Sequence, residues 1–491
     1  MFRVSWQRCG KRPWGWRSAI GVVSLLVSCP LWADFSRLAQ LQDKGFAISA
    51  EARLLDGDAS AAPLASIEPT RQLSPASVTK AYLAAAALQR FGPQHQFTSQ
   101  LISQGKVTNG VLSGDLIFEG GGDPGLTTED VWRLVQRLQQ AGVRQVDGAL
   151  VINQWRFGPV ECITTDRCDA QTRVANAYSA PLSSAGVNFG SWCANVAPAS
   201  APNAPARISL CDGQALQVRV DNQVMTKPDN SGTQLNAERI TTADGDVLRL
   251  TGQISTNAQP QDVYRGAGDA AELTAEVLLG MLRQSGVQVR DGWRLSSLRP
   301  PSDAQRLAAV DSKPLQELLL RIMNYSNNYM ADVLALNLVE SPQAQLRQAG
   351  LTLEQYAQNL PGHGPLTLYS GSGLTTENRT SARGINVMLA DMFHESALFP
   401  SFVAAFQSPA NGVMRFIRRG SDTFQHNVML KTGTLNQPFA VRAAAGYFRT
   451  AQGRWGVFSV LVNGNASTPY LNWSQVLDPL TQDLDTLILA N

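Results

Sequence analysis

Apolar and polar residues follow two different periods along this chain, and the periods separate strands from helices. Runs with a period of two, or continuous apolar runs between turn residues, predict strands over 46–55, 114–119, 148–153, 429–435, 443–448 and 456–463. Residues 235–256 alternate like a pair of strands. Helical spacing predicts helices over 77–90, 128–141, 270–285, 315–323, 327–338 and 471–489. The mixture predicts an α/β (α+β) fold.

Two of these helices carry further information. From Ala81 to Leu88 the first helix is apolar on nearly every face, which predicts a central and buried position. The last helix, over 471–489, carries acidic charges. We therefore expect it to pack on the sheet rather than to lie on an anionic membrane.

The first 33 residues have the pattern of a secretory signal. A basic start from Arg3 to Arg17 precedes an apolar run of nine residues, Ala19 to Val27, and a cleavage site is expected before Asp34. An alternative stays open, because Leu26-Val27-Ser28-Cys29 resembles a lipoprotein signal that acylates its cysteine. Both interpretations predict export to the periplasm, with a loose membrane association left open. No later run reaches the roughly 18 apolar residues of a membrane span.

The charge balance limits which classes of partner are expected, and the cysteines indicate in which compartment the protein resides. Basic and acidic residues are nearly balanced, 41 against 39, which argues against a nucleic-acid partner. Four cysteines follow the signal and allow three pairings. We predict the two local disulfides Cys162–Cys168 and Cys193–Cys211, which suit an oxidising compartment. The cysteine spacings do not fit zinc and no histidine lies nearby, so no metal site is predicted.

Three short motifs carry candidate chemistry, and the first is Ser77-Val78-Thr79-Lys80. On a helix, Ser77 and Lys80 share one face. A serine hydroxyl needs a base to become a nucleophile, and a lysine can be that base when burial and a nearby positive charge lower its pKa. Alone, the pattern is more often an ordinary helix start with Ser77 as N-cap.

The second and third motifs are Ser326-Asn327-Asn328 and Lys431-Thr432-Gly433. In an extended or tight loop, Ser326 and Asn328 can point the same way, the first to relay a proton and the second to bind a carbonyl and hold Lys80. Each motif has a plainer interpretation when it stands alone, as a helix-capping loop or as a strand with a glycine bulge.

Residues of the third motif are predicted to bind substrate. Gly433 leaves room for a substrate backbone along the strand edge. Lys431 supplies a positive charge beside Lys80, and Thr432 and Thr434 can bind a terminal carboxylate. The backbone N–H of Thr434, together with that of Ser77, can form an oxyanion hole.

In this order the motifs resemble the Ser-x-x-Lys, Ser-x-Asn and Lys-Thr-Gly set of penicillin-binding proteins and serine β-lactamases. The chain resembles in particular the D-alanyl-D-alanine carboxypeptidase/endopeptidases of the type-4, class C low-molecular-mass penicillin-binding proteins. The resemblance covers most of the chain after the signal and includes the segments 75–80, 120–124, 324–332, 426–435 and 446–454.

The resemblance implies a fold and a domain organisation. Helices should flank an antiparallel sheet in a transpeptidase domain like that of penicillin-binding proteins and serine β-lactamases. Residues 96–264 lie between the first two motifs and are rich in short strands, turns and loops. They should form two inserted, mainly β-containing domains, and residues 34–95 with 265–491 should form the catalytic domain. Residues 197–206 are predicted to be a surface loop within the insertion.

The resemblance also implies a reaction. Ser77 attacks the carbonyl between two D-alanines, or a D-configured cross-link, of peptidoglycan, and water then hydrolyses the acyl-enzyme. β-Lactams acylate the same serine. No metal or organic cofactor is implied, and a homodimer is left open. The implied site comprises Ser77, Lys80, Ser326, Asn328 and Lys431 as catalytic residues and Thr432, Gly433 and Thr434 as substrate-binding residues.

One segment departs from the family pattern Asp-Gly-Ser-Gly-Leu-Ser-Arg. Here residues 370–376 read Ser-Gly-Ser-Gly-Leu-Thr-Thr. Ser370 therefore stands where aspartate is usual, and Thr376 where a basic residue is usual. The departure concerns the recognition of substrate near this loop rather than the acylation chemistry.

Two alternatives remain. A serine β-lactamase of class A needs a Glu-x-x-x-Asn loop, which is absent between Asn328 and Lys431, and class C enzymes place tyrosine where Ser326 stands. A catalytically silent peptidoglycan-binding protein would not need to keep all the motif residues intact. A Ser-His-Asp hydrolase is disfavoured, because the chain has only four histidines and no Gly-x-Ser-x-Gly elbow before a helix.

Overall fold

The structure is a computed structural model that describes residues 34–56, 62–173, 176–211, 218–242 and 245–491. The predicted signal over residues 1–33, and with it the alternative of a lipidated Cys29, lies outside these described residues. Among the described residues, no helix is both long and apolar enough to cross a membrane.

A five-stranded antiparallel sheet, here called the main sheet, joins the two ends of the chain. Its strands lie in the order Val428–Leu435, Val441–Arg449, Trp455–Asn463, Ala47–Leu54 and Ala65–Ile67. The strand that carries the third motif is therefore an edge strand. The strands predicted over 443–448 and 456–463 are confirmed and pair as an antiparallel hairpin, with Val441 opposite Asn463 and Arg449 opposite Trp455.

Both faces of the main sheet are covered by other parts of the chain. Side chains alternate between the two faces along each strand, so each strand contributes to two cores. Ala443, Ala445 and Tyr447 pack into a core shared with the helix Thr79–Phe91. Ala444 and Phe448 face the opposite core. That core is covered by the closing helix Trp473–Ala490, which confirms the expectation that this helix packs on the sheet. The predicted arrangement of helices flanking an antiparallel sheet is confirmed.

The helix Thr79–Phe91 runs through the interior. Ten of its residues, from Thr79 to Leu88, are buried, so the prediction of a central helix is confirmed. Its neighbours in the core include the helices Leu315–Asn324, Asn328–Asn337, Leu346–Gln358 and Ala382–His394. Elsewhere in the part of the chain that the structure describes, α-helices span Ser36–Ala39, Thr128–Gln140, Thr165–Arg173, Ala270–Gln284, Phe399–Ala404 and Asp422–Asn427.

Among the described residues, four further sheets are built largely from the segment between the first two motifs. One sheet has the strand order Trp293–Ser296, Leu150–Asn153, Leu116–Glu119, Thr98–Ser103 and Gln305–Asp311. A second has the order Gln288–Val289, Gln145–Val146, Val111–Leu112 and Val107–Thr108. The third has the order Arg207–Leu210, Ser191–Ala197 and Gln261–Gly266, and the fourth the order Arg219–Lys227, Gly245–Ser255 and Gln234–Thr242. The pair of strands predicted within 235–256 is thus confirmed.

The inserted segment shares its sheets and its core with residues beyond 264. The strand Trp293–Ser296 pairs with Leu150–Asn153, and Gln305–Asp311 pairs with Thr98–Ser103. The helix Ala270–Gln284 packs in the same core as these strands. The domain division at residue 264 stays a prediction, and the strand pairing extends past that point.

Both predicted disulfides, Cys162–Cys168 and Cys193–Cys211, are formed. The first, here called the first disulfide, spans the start of the helix Thr165–Arg173. The second joins the strand Ser191–Ala197 to the end of the strand Arg207–Leu210. The segment 198–206 between these strands has no helix or strand, in agreement with the predicted loop.

Candidate active site

Ser77 lies in a tight turn directly before the central helix. The turn is the 3₁₀ segment Ala76–Val78, and the α-helix begins at Thr79. The α-helix therefore begins two residues later than predicted, and Ser77 lies in the tighter turn that precedes it. This turn still places the Ser77 and Lys80 side chains together. The distance between Lys80 Nζ and Ser77 Oγ is 3.0 Å.

Lys80 is fully buried and has three oxygen neighbours. Its Nζ lies 2.7 Å from Asn328 Oδ1, 2.7 Å from the Ser372 carbonyl oxygen and 3.0 Å from Ser77 Oγ. A neutral amine can donate to the first two and keep its lone pair for the Ser77 hydroxyl. The arrangement can therefore remove the Ser77 proton.

Electrostatics favour the neutral form of Lys80. Burial lowers the pKa of Lys80 well below its usual value of 10.5, and the positive charge of Lys431 lowers it further. The negative charge of Asp332 acts in the opposite direction, and the positive charge of Arg167 again lowers the pKa. A lowered pKa is what a lysine base needs near neutral pH.

The second motif connects the central helix to the edge strand. Ser326 adopts a left-handed backbone conformation, with φ 53°, and Asn327 caps the helix Asn328–Asn337 by accepting the Met330 N–H at 2.9 Å. The turn places Asn328 against Lys80 and Ser326 Oγ at 3.0 Å from Lys431 Nζ. The two side chains do point towards one site, as predicted.

Lys431 is buried in the edge strand. Its Nζ donates to Ser326 Oγ and, at 2.6 Å, to the Thr432 carbonyl oxygen. Burial lowers the pKa of Lys431 to about 7. The amine can therefore gain and lose a proton near neutral pH, beside a hydroxyl that can pass that proton on.

Gly433 has a packing role that the sequence analysis did not predict. A Cβ at this position would stand 2.5 Å from the Pro75 carbonyl oxygen and 2.9 Å from the Ser77 backbone nitrogen. The chain's own turn Ala76–Val78 thus approaches the strand where only a substrate backbone was expected. The missing side chain sets how close Ser77 lies to the third motif.

A cleft of about 390 Å³ opens over these groups. Five of the eight predicted site residues line it: Ser77, Ser326, Asn328, Thr432 and Thr434. Lys80 and Lys431 are buried behind the residues that line the cleft. Lys80 contacts Ser77, and Lys431 contacts Ser326, by hydrogen bonds. Gly433 lies in the edge strand between Thr432 and Thr434. The structure therefore brings all eight residues together at one site.

Thr434 is exposed at the cleft and has a partner from the closing helix. The indole Nε1–H of Trp473 donates to Thr434 Oγ1 at 3.0 Å. An indole N–H is a donor only, so the Thr434 oxygen must accept. Its own hydroxyl hydrogen is then left to point at an acceptor in the cleft.

Other residues of the site were not predicted. Asp166 and Tyr178, from the inserted segment, line the cleft. Asp332 accepts the Ser372 N–H at 2.8 Å, and Arg167 donates to Asp332 at 2.7 Å. Asp332 could have been found from its position one helical turn after Asn328. No pattern in the sequence marks the other three residues.

The loop that departs from the family pattern lies beside the cleft. Ser370 is buried, and its Oγ accepts the Gly373 N–H at 3.2 Å. The Thr376 backbone N–H donates to the Asp166 carboxylate. The two unusual residues are therefore held in the loop whose Ser372 carbonyl contacts Lys80.

In the described residues, the metal-ligating side chains that converge are Cys193, Cys211 and Asp262. The two cysteines form the second disulfide. They therefore offer no thiolate pair to a metal ion.

The comparison with protein families identifies the class. The model of the D-Ala-D-Ala carboxypeptidase 3 (S13) family matches residues 39–484. The chain therefore belongs to this family, and the recognition made from the motifs is confirmed. The predicted enzyme class, a serine-type D-Ala-D-Ala carboxypeptidase, is confirmed with it.

Individual relatives agree with this assignment. The D-alanyl-D-alanine carboxypeptidase DacB of Haemophilus influenzae is 26% identical over 404 residues, which cover 79% of this chain and 80% of the relative. A D-alanyl-D-alanine carboxypeptidase of Actinomadura sp. is 29% identical over 475 residues, which cover 90% of this chain and 85% of the relative.

A solved structure has the same fold. Penicillin binding protein 4 of Haemophilus influenzae superposes with a TM-score of 0.72 at 23% identity, over 92% of this chain and 98% of that one. The predicted fold class, a transpeptidase-like domain with additional domains, is thereby confirmed.

Proposed function

We propose that this cleft hydrolyses terminal D-Ala-D-Ala bonds and D,D-cross-links of peptidoglycan stem peptides through an acyl-enzyme on Ser77. The observation that carries the proposal is the set of contacts at one cleft, in which Lys80 contacts both Ser77 and Asn328 while Lys431 contacts Ser326. Family membership supports the D-Ala-D-Ala specificity.

In the acylation step, Lys80 takes the Ser77 proton and the Ser77 oxygen attacks the carbonyl carbon. The backbone N–H groups of Ser77 and Thr434 stabilise the oxyanion. Two observations support this pairing: Ser77 and Thr434 line the same cleft, and a Cβ on Gly433, the residue before Thr434, would stand only 2.9 Å from the Ser77 nitrogen.

The C–N bond then breaks, and the leaving amine takes the proton from Lys80 by way of the Ser326 hydroxyl. Lys431 supports this transfer, since its Nζ contacts Ser326 Oγ and has a pKa of about 7. Asn328 holds Lys80 through Oδ1 and can bind the substrate carbonyl with its amide N–H. A water molecule afterwards hydrolyses the serine ester, and Ser77 regains its proton.

The hydroxyl groups of Thr432 and Thr434 bind the carboxylate beyond the scissile bond. Trp473 supports this role, because its N–H fills an acceptor position of Thr434 Oγ1 and leaves the hydroxyl to donate. Thr434, Asn436 and Gln437 are exposed. That end of the cleft therefore has room for a leaving group larger than D-alanine, such as a neighbouring stem peptide.

β-Lactams should acylate the same serine, since they present a reactive carbonyl and a carboxylate to the same donors. The penicillin binding protein 4 of Haemophilus influenzae has been solved in complex with a β-lactam. We further propose export to the periplasm, which the two disulfides support.

The test uses purified protein, a peptidoglycan digest and a fluorescent penicillin. Mass analysis should show loss of D-alanine and cleavage of cross-linked fragments, and the intact protein should gain one long-lived penicillin adduct. Ser77→Ala should abolish both, whereas Ser396→Ala, at an exposed position far along the chain, should abolish neither. Rapid penicillin turnover without D-alanine release would instead indicate a β-lactamase, and neither adduct nor release a silent binding protein.

A further inference from the structure

A buried ion pair links the inserted segment to the base. Arg167 lies in the helix Thr165–Arg173, and its Nη1 donates to Asp332 Oδ2 at 2.7 Å. The side chains of Arg167 and Asp332 are only 2% and 0% exposed. Two charges held this deep in a protein interact strongly, because water screens them little.

Asp332 leads from this pair to Lys80. Its other oxygen, Oδ1, accepts the Ser372 backbone N–H at 2.8 Å. The carbonyl oxygen of the same Ser372 accepts a hydrogen bond from Lys80 Nζ at 2.7 Å. A continuous path of three contacts therefore runs from Arg167 through Asp332 and Ser372 to Lys80.

We propose that Arg167 is a positioning residue of the peptidase reaction, which balances the charge of Asp332 and so keeps Lys80 able to accept the Ser77 proton. This inference rests on the proposed function, in which Lys80 is the base. Asp332 is needed to hold the Ser372 loop, yet its bare carboxylate would attract a proton to the lysine. The arginine removes that side effect while the hydrogen bond to Ser372 stays.

The charges around Lys80 fit this role. Besides burial, the groups that shift its pKa are Lys431 and Arg167, which lower it, and Asp332, which raises it. Without Arg167 the negative charge of Asp332 is left uncompensated. Without the Asp332 carboxylate, the positive charge of Arg167 is left uncompensated.

The position of Arg167 is held from both sides. The first disulfide, Cys162–Cys168, ends at the residue that follows Arg167. The residue before it, Asp166, accepts the Thr376 backbone N–H of the loop that also contains Ser372. The inserted segment thus contributes a charged group to the catalytic domain through a covalently closed turn.

The experiment measures kcat/KM for D-alanine release as a function of pH, since its acidic limb reports the pKa of the base in the free enzyme. The variants are Arg167→Met, Asp332→Asn, the double variant and Arg167→Lys. Arg167→Met should move the acidic limb up by about one pH unit, which is about a tenfold loss below the limb. Asp332→Asn should move it down, because its amide oxygen can still accept the Ser372 N–H while the positive charge remains.

The double variant should return the limb to the wild-type position, and Arg167→Lys should keep it there. A purely structural ion pair would lower the melting temperature of both single variants without shifting the limb in opposite directions. Unchanged limbs, or shifts of one sign in both single variants, would overturn the inference. If Arg167→Met does not fold, the downward shift in Asp332→Asn and its reversal in the double variant decide the question.

Failure of the proposed function has a different signature. In that case the wild-type protein itself would release no D-alanine and form no penicillin adduct. A wild-type enzyme with a clear acidic limb that none of the variants moves would sink the role of Arg167 alone.

Discussion

Replacing Gly433 by alanine should slow the acylation of Ser77 by about a hundredfold. The added Cβ would stand 2.5 Å from the Pro75 carbonyl oxygen and 2.9 Å from the Ser77 nitrogen, whereas ordinary contact begins at 3.4 Å. The edge strand and the turn that contains Ser77 must therefore separate by about 0.9 Å. A displacement of about 1 Å at reacting atoms costs about 10² in rate.

Gly433→Ala should affect the stability of the fold less than it affects the rate of acylation. Inserting one methyl group into a packed site typically costs about 1–3 kcal/mol. The melting temperature should therefore fall by a few degrees while the protein stays folded at 25 °C, as circular dichroism would show. The main effect should appear in the second-order rate of labelling by a fluorescent penicillin.

Gly268→Ala is a matched control. The nearest atom to a Cβ there would be Asp246 Oδ2 at 2.8 Å, the end of a side chain that can move, and the next would be Arg239 Nη1 at an ordinary contact distance of 3.8 Å. Gly268 is also exposed. This variant should label at the wild-type rate. Labelling of Gly433→Ala within about threefold of wild type, with the fold intact, would refute the idea that the missing side chain sets the position of Ser77.

Three further predictions follow from individual contacts. Trp473→Phe should raise KM about five- to tenfold for a peptide with a free terminal carboxylate, with little change in kcat, because the Thr434 hydroxyl is no longer oriented. An equal rise in KM for the carboxamide analogue of this peptide would contradict the orienting role of Trp473. Replacing both Cys162 and Cys168 by serine should reduce the acylation rate several-fold and expose the neighbouring helix to proteases. Removal of the second disulfide should leave acylation unchanged. Equal acylation rates in the two variants would contradict the idea that the first disulfide holds Arg167 in position. Burial lowers the pKa of Lys431 from 10.5 to about 7, so between pH 7 and 10 the folded chain binds fewer protons than the unfolded chain and stability rises with pH. Lys431→Met should flatten that rise in unfolding experiments, and an unchanged slope would contradict the low pKa.

Much of the fold could be predicted because its signals are local. The period of apolar residues gave the edge strand now seen at Val428–Leu435 and the central helix at Thr79–Phe91 to within a few residues. The closing helix was expected to pack on the sheet, and it does. Cysteines six and eighteen residues apart pair as predicted, because short loops bring their ends together readily.

The sequence did not show which strands pair across the predicted boundary at residue 264. Residues 293–311 read as ordinary sequence after the predicted boundary, yet two of their strands pair with strands near residues 98–103 and 150–153. Strand pairing depends on which edges meet in space. A change of composition along the chain does not contain that information.

The candidate site also contains residues that the sequence could predict and residues that it could not. The motif residues were found because their chemistry is carried by type and short spacing, as with Ser77 and Lys80 one helical turn apart. Arg167 and Asp332 are 165 positions apart, and the Ser372 carbonyl is 292 positions from Lys80. No local pattern marks such partners.

The sequence alone therefore determined the family, the class of enzyme and most of the helices and strands that carry the candidate site residues. Only the tertiary structure decided which buried charges surround Lys80, why position 433 must lack a side chain, and which hydroxyl Trp473 orients. The physical reason is the distance along the chain over which each kind of interaction acts. Periodicity and residue type act over a few positions, whereas electrostatic balance and close packing depend on groups that folding brings together from distant parts of the chain.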